Sequence, residues 1–309
     1  MIDINISVNS LLNIKNTAEE NGCTVSENAS LKDITTFKTG GTCPLLITPK
    51  TEDGLSAVIK AINKENVPFI VLGNGSNVLA PDGELKKIVI KTTDGLCDLY
   101  LKDGETIFAG AGVKLAVLCK FALENSLSGL EFAYGIPGSC GGAAFMNGGA
   151  YGGEMKDVLT RVYHIDKNGN KGSFAADELM LSYRTSVYEK TEEYIITGVE
   201  IKLKKGNPEE IKSAMDGFIS RRKEKQPLEY PSAGSTFKRP EGHFAGALIE
   251  NCGLKGKEIG GAAVSEKHAG FLINKNNATS EDVLKLIDFV RETVLKETGV
   301  TLEPEVRIL

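Results

Sequence analysis

Hydrophobic positions along this chain follow two periods, and the places where one gives way to the other mark its elements. Leu55, Val58, Ile59 and Ile62 recur at helical spacing, and Thr51-Glu-Asp opens the run with acids where a helix start is electropositive. Pro68-Phe-Ile-Val-Leu72 is a continuous apolar run that stops at Gly73-Asn-Gly-Ser-Asn77, which predicts a buried strand meeting a special loop. Further strands are predicted over 44–48, 87–91, 97–101 and 106–110, the last two joined at Asp103-Gly104. A first helix is predicted over 9–21, stopped by Gly22. Another covers 113–125, with Leu115, Leu118, Cys119 and Ala122 on one side. Strands over 162–165 and 172–174 flank Asp166-Lys-Asn-Gly-Asn170 as a hairpin, and 194–203 reads as a strand.

Two composition shifts interrupt this pattern. Residues 129–153 hold nine of the chain's 34 glycines, a density that helix and strand interiors tolerate poorly. Lys204-Lys-Gly-Asn-Pro208 is polar, rich in breakers, and sets a proline at the first turn of a new helix, so a boundary is drawn there. Beyond it the pattern predicts helices over 209–224, 245–252 and 280–297, strands over 261–264 and 270–273, and a final strand over 301–309. The alternation predicts an α+β fold with the C-terminal third as a separate unit.

Composition narrows the function classes. The chain has 309 residues and a formal net charge of −5, which argues against broad nucleic-acid binding while leaving room for a basic pocket that takes one small anion. The N-terminus carries Asp3 and polar residues in place of a cationic start and apolar run, and no apolar stretch reaches bilayer length, so the expected location is the cytoplasm, without membrane insertion. Six scattered cysteines form no Cys-x-x-Cys pair, so neither a metal site nor a disulfide framework is expected. No obligate protein partner is implied.

Glycines at a strand end let successive N–H groups approach phosphate oxygens. Gly73-Asn-Gly-Ser-Asn77 and Gly135-Ile-Pro-Gly-Ser-Cys-Gly-Gly142 are the two candidates. Neither is a familiar fingerprint. Val78 stands where the dinucleotide pattern started at Gly73 needs glycine, Leu115 does so for Gly110-x-Gly112, and Glu258 follows Gly256-Lys257 where a P-loop needs Ser or Thr.

Leu72-Gly-Asn-Gly-Ser-Asn-Val78, Gly135-Ile-Pro-Gly138, Asn147-Gly-Gly-Ala-Tyr-Gly152, Tyr183-Arg184, Ala233-Gly-Ser235 and Glu303-Pro-Glu-Val-Arg307, in that order, resemble the UDP-N-acetylenolpyruvoylglucosamine reductases. The short spacing between Ala150-Tyr-Gly152 and Tyr183-Arg184 fits the family's shorter class. The resemblance implies a vanillyl-alcohol-oxidase-type FAD-binding fold of two α+β subdomains over 1–204 and a substrate-binding α+β domain over 205–309. It also implies FAD as cofactor and NADPH as co-substrate, with hydride passing from NADPH to FAD to the enolpyruvyl group and UDP-N-acetylmuramate as product for peptidoglycan synthesis. Gly73, Asn74, Gly75, Ser76, Asn77, Gly135, Ile136, Pro137, Gly138, Ser139, Gly141, Gly142, Gly148 and Ala150 are the cofactor-binding residues it suggests. Tyr183, Lys225, Lys238 and Arg239 are the substrate-binding ones. NADPH would share one cleft with the sugar nucleotide and leave before it binds.

The chemistry assigns the rest. Reducing an enolpyruvyl ether leaves negative charge on a carboxylate-bearing carbon, which a protein must stabilise and then protonate. Arg184 matches the family's catalytic arginine, and its planar guanidinium suits a carboxylate. Glu305 matches its catalytic glutamate, which polarises or orients the enolpyruvyl group. Ser235 admits three readings: nucleophile, proton donor or turn hydroxyl. Ala233-Gly-Ser-Thr-Phe237 is not a nucleophile elbow and His164, His243 and His268 supply no triad order, so the nucleophile reading is weakest. An enolate basic enough to accept a hydroxyl proton favours the donor. Two rivals remain, a flavin oxidase of the same fold, with Cys140 as the one candidate for covalent attachment in the glycine loops, and a sugar-nucleotide sensor without catalysis.

Overall fold

A computed structural model describes residues 6–309; Asp3, on which the reading against a secretory leader turned, lies outside the described residues. The chain forms two compact units, each built from separated stretches. The first takes Met1–Glu27, described from Ile6, with Pro44–Asn74 and Lys86–Ser220; the second takes Asn28–Cys43, Gly75–Leu85 and Arg221–Leu309. The division therefore does not follow the boundary drawn at 204/205. The helix Pro208–Lys225 starts with proline as expected, but it buries Ile211 and Met215 in the larger core of the first unit, so compactness places most of it there.

The first unit has two cores. In one, Thr42–Thr48 and Phe69–Leu72 pair in parallel with Ile88–Lys91. The helix Glu52–Glu65 lays Leu55, Val58, Ile59 and Ile62 against these strands beside Ile14 and Ala18 of the helix Val8–Glu20. Thr51 caps the former helix by accepting from the Gly54 N–H at 3.0 Å, and Asn66 ends it in the left-handed region. The strand expected to be buried at 68–72 is a half-exposed edge strand instead, with Val71 38 % exposed. An apolar run tells of affinity for a core, not of how many neighbours the strand finds.

The other core lies under a five-stranded antiparallel sheet in the order Lys171–Ala175, Leu159–Asp166, Tyr194–Lys202, Thr106–Gly110, Leu99–Leu101. The helix Leu115–Glu124 buries Leu115, Leu118, Cys119 and Ala122 in it. The expected hairpin forms because Asp166 Oδ1 accepts from the N–H groups of Asn168 and Asn170, each at 2.8 Å. His164 is buried on this sheet among Phe174, Tyr188 and Tyr194. Its Nδ1 lies 2.8 Å from the Tyr188 hydroxyl, which donates in turn to the Val162 carbonyl.

In the second unit an antiparallel sheet of Glu258–Ile259, Ala262–Val264 and Leu272–Asn274 packs with the helix Ser280–Thr298, which contributes Val283, Leu286, Ile287, Val290 and Val294 to the core. A Thr279/Asp282 capping box starts that helix and Gly299, at φ +73°, stops it. The strand expected over 301–309 shrinks to Arg307–Ile308, parallel to Val78–Leu79. Pro304 interrupts any longer ladder, and the backbone on either side divides its hydrogen bonds among different partners. The strand Thr24–Ser30 and the short helix Cys140–Phe145 were not anticipated. The first is largely exposed and carries no apolar alternation; the second holds two glycines.

Burial holds the His164 imidazole below its ordinary pKa, so the folded protein keeps it neutral while the unfolded chain gains a proton near about pH 6.5. Stability should fall as pH drops through that value and level off once the folded-state pKa is passed. His268 shifts in the same direction, also through burial. His164→Gln should therefore flatten part of the dependence of the urea midpoint on pH; an undiminished slope would remove His164 from the account.

Candidate active site

The glycine stretch and the Gly73 loop meet within the first unit. Asn74 Nδ2 donates to the Pro137 carbonyl at 2.7 Å, and Thr93 Oγ1 donates to the Gly73 carbonyl at 2.9 Å. A side chain at Gly73 would collide with the Ser139 hydroxyl, which is itself the N-cap of Cys140–Phe145 and accepts from the Gly142 N–H at 3.2 Å. Gly141 is equally constrained, since a Cβ there would stand 2.8 Å from that of Ala111. Ile136 turns its side chain to the core.

Several N–H groups of the glycine stretch are used within the protein. Cys140 donates to Val113, Gly141 to Ala111 and Gly148 to Ala143, at 2.8, 2.9 and 2.7 Å. Gly141 and Gly148 also face protein atoms on their bare side, those of Ala111 and Ala143. Gly142 is the telling case: it is exposed, its φ is not positive, and an added Cβ would meet only Ser139 Oγ, at 3.4 Å. Among the described residues nothing within 4 Å of that Cβ demands glycine, and glycine in a helix costs up to about 1 kcal/mol relative to alanine. Glycine there leaves the exposed backbone of that short helix open.

Asn147-Gly-Gly-Ala-Tyr-Gly152 folds back as a hairpin in which Ala150 pairs with Gly153. Arg184 sits beside it, with Nη2 3.4 Å from the Gly149 carbonyl and the guanidinium 5.1 Å from the centre of the exposed Tyr183 ring. Arg184 has φ +54°, at the tip of a tight corner closed by mutual Ser182–Thr185 backbone hydrogen bonds of 3.1 Å. A non-glycine residue in that region costs roughly 1 kcal/mol.

The backbone segments that carry Ser235 and Glu305 pair in the second unit. The Glu305 N–H donates to the carbonyl of Thr236 at 2.7 Å, Phe237 bridges to Pro304, and Lys238 N–H donates to the Glu303 carbonyl at 2.8 Å. Asn77 Nδ2 donates to the Glu305 carbonyl at 3.0 Å, and Arg307 N–H to the Asn77 carbonyl, also at 3.0 Å. Gly234, at φ +79° with open space around it, turns the chain into Ser235, which is exposed. Lys238 is ion-paired with Glu303, the Arg239 guanidinium lies 4.0 Å from the centre of the Phe244 ring, and Lys225 is exposed at the end of its helix.

Sequence reasoning passed over two organising residues. Thr36 donates its N–H to the Gly75 carbonyl at 3.0 Å and its hydroxyl to the Ser232 carbonyl at 2.7 Å, which ties the loop to the serine segment. No local pattern announces this. Asn147, fully buried, bonds to Glu154 and Ser182; it stood inside a quoted motif without being given a role. The Cys140 thiol is completely buried and pushed well above its ordinary pKa by that burial, so it stays protonated and is a poor candidate for covalent flavin attachment.

Comparison with known proteins gives the family and the fold. Residues 226–309 match the family described as UDP-N-acetylenolpyruvoylglucosamine reductase, C-terminal domain, and residues 44–171 match the FAD binding domain family. A UDP-N-acetylenolpyruvoylglucosamine reductase of Clostridium novyi is 45 % identical over 100 % of this chain and 97 % of its own. One of Syntrophomonas wolfei is 47 % identical over 91 % of this chain and 94 % of its own. The crystal structure of the reductase from Thermus caldophilus superposes with a TM-score of 0.78 at 36 % identity, covering 93 % of this chain and 98 % of that one.

The expected α+β flavin-binding fold is thus borne out, and the cofactor is FAD. If Gly142 is bare for that ligand, Gly142→Val should fold normally yet raise the FAD dissociation constant by about tenfold or more. Fluorescence titration of the apoprotein measures it, with thermal unfolding as the control. Unchanged affinity would mean that the cleared space serves something else.

Proposed function

The chain belongs to the UDP-N-acetylenolpyruvoylglucosamine reductase family, oxidoreductases acting on the enolpyruvyl group of a UDP-sugar, and from that premise we propose how its residues divide the work. The overall reaction is the reduction of UDP-N-acetylglucosamine enolpyruvate to UDP-N-acetylmuramate at the expense of NADPH, in the cytoplasm, as a step of peptidoglycan precursor synthesis. Bound FAD supplies the hydride for the terminal methylene carbon. Residues 1–204 hold the cofactor, through Gly73–Asn77, Gly135–Gly142, Gly148 and Ala150; residues 205–309 hold the sugar nucleotide.

Charge that develops on the substrate carboxylate is met by Arg184, whose guanidinium gives two parallel charge-assisted hydrogen bonds. Glu305 orients the enolpyruvyl group. Ser235 donates the proton that completes the reduction, and the strong basicity of the enolate makes a hydroxyl an adequate acid. The single observation that carries this reading is the backbone pairing that sets Glu305 beside the Ser235 segment, with the Glu305 N–H 2.7 Å from the Thr236 carbonyl. Lys225, Lys238 and Arg239 supply cations for the diphosphate in an otherwise acidic chain, with Tyr183 against the substrate. The Lys238–Glu303 pair is no bar to this, because partly exposed ion pairs are worth only about 0–1 kcal/mol and exchange readily.

Ser235→Ala should lose about 100-fold or more in turnover with its FAD content unchanged. A variant that turns over normally would return Ser235 to the turn-hydroxyl reading, and a protein that binds the sugar nucleotide identically without ever reducing it would be a sensor. Initial rates with NADPH and the enolpyruvyl substrate varied together should give parallel reciprocal plots, as one shared cleft requires. Converging lines would mean that both bind at once.

A further inference from the structure

Asn147 lies at the bottom of the glycine stretch, 0 % exposed and at φ +44°. Its carboxamide is used on every side. Nδ2 donates to Glu154 Oε2 at 2.7 Å and to the Ser182 carbonyl at 3.0 Å, while Oδ1 accepts from the Lys156 N–H at 2.9 Å. Glu154 is held in turn by the Lys156 ammonium, 3.1 Å away. The Ser182 carbonyl also closes the corner that carries Tyr183 and Arg184, and on the far flank Ser186 Oγ donates to the Phe145 carbonyl at 2.6 Å. The corner is therefore clamped on both sides to the segment 145–147. Arg184, in a backbone region that L side chains disfavour, would otherwise relax from it.

We infer that Asn147 is a positioning residue for Arg184: its carboxamide fixes the corner from which the guanidinium is presented, and so it acts in the half-reaction that consumes the enolpyruvyl substrate. The inference rests on the role proposed above for Arg184. A residue that merely shaped the cofactor loop would affect flavin binding, or both half-reactions equally; a residue that aims Arg184 affects one of them.

Asn147→Gly is the suitable variant, because glycine keeps the positive φ without strain while deleting all three side-chain hydrogen bonds. FAD content is read from the visible spectrum. Flavin reduction by NADPH is then followed anaerobically in single turnover, as is flavin reoxidation by UDP-N-acetylglucosamine enolpyruvate. The expected result is FAD content and NADPH-driven reduction within about twofold of wild type, with reoxidation slowed about tenfold or more, in common with Arg184→Lys. Loss of flavin, or equal slowing of both half-reactions, would overturn the inference by making Asn147 part of the cradle. Reoxidation at the wild-type rate in Asn147→Gly alone would overturn it while leaving the arginine's role intact. Reoxidation at the wild-type rate in Arg184→Lys would overturn that role and the inference with it.

Discussion

Side-chain amide hydrogen bonds to distant main-chain carbonyls hold this molecule's working loops in place. Loops made largely of glycine present few side chains to pack, so the hydrophobic effect that fixes helices and sheets has little purchase on them. Asparagine takes over that role. Asn74 reaches Pro137, Asn77 reaches Glu305 across 228 residues of sequence, Asn147 reaches Ser182, and Asn274 reaches Phe37 and Lys38. Each bond contributes only about 1 kcal/mol net, but a carbonyl buried without a partner costs about 1–3 kcal/mol, so misplacement is penalised more than placement is rewarded. That asymmetry gives an irregular segment one defined conformation.

The same physics explains what the sequence disclosed and what it hid. Helices such as Glu52–Glu65 and Ser280–Thr298 were legible because one buried face and a polar cap are local properties, written within a few residues. The hairpin at Asp166 was legible for a similar reason, its turn being closed by its own side chain. The exposed edge position of Phe69–Leu72 and the irregular tail before Arg307 depend on which distant strand lies alongside. So does the transfer of Asn28–Cys43 to the second unit, which follows from bonds such as Thr36 to Ser232. No window of sequence contains both partners.

Within the candidate site the divide runs along the same line. The candidate residue types came from chemistry and family likeness, and the adjacency of the Ser235 segment to Glu305 follows from the bridge between Phe237 and Pro304. The use of the N–H groups was not readable. Glycine-rich text suggests amides aimed at phosphate, whereas Gly141 commits its own inside the protein. Its missing side chain makes room for Ala111, and an absent side chain leaves the same letter in the sequence whatever it makes room for.

Strain and anchorage accompany each other here. Asn147 and Arg184 both hold positive φ, and Gly234 does so immediately before Ser235. Glycine bears that conformation freely; the other two must be compelled into it by about 1 kcal/mol or more of surrounding interaction. For Arg184 the compulsion comes from Ser182 and Ser186, each anchored by a part-buried hydrogen bond to the glycine stretch. A flexible corner would leave the guanidinium to sample solvent and lose orientational freedom each time charge developed near it. A strained and clamped corner loses that freedom once, when the chain folds, and so fixes the main chain from which the Arg184 side chain extends.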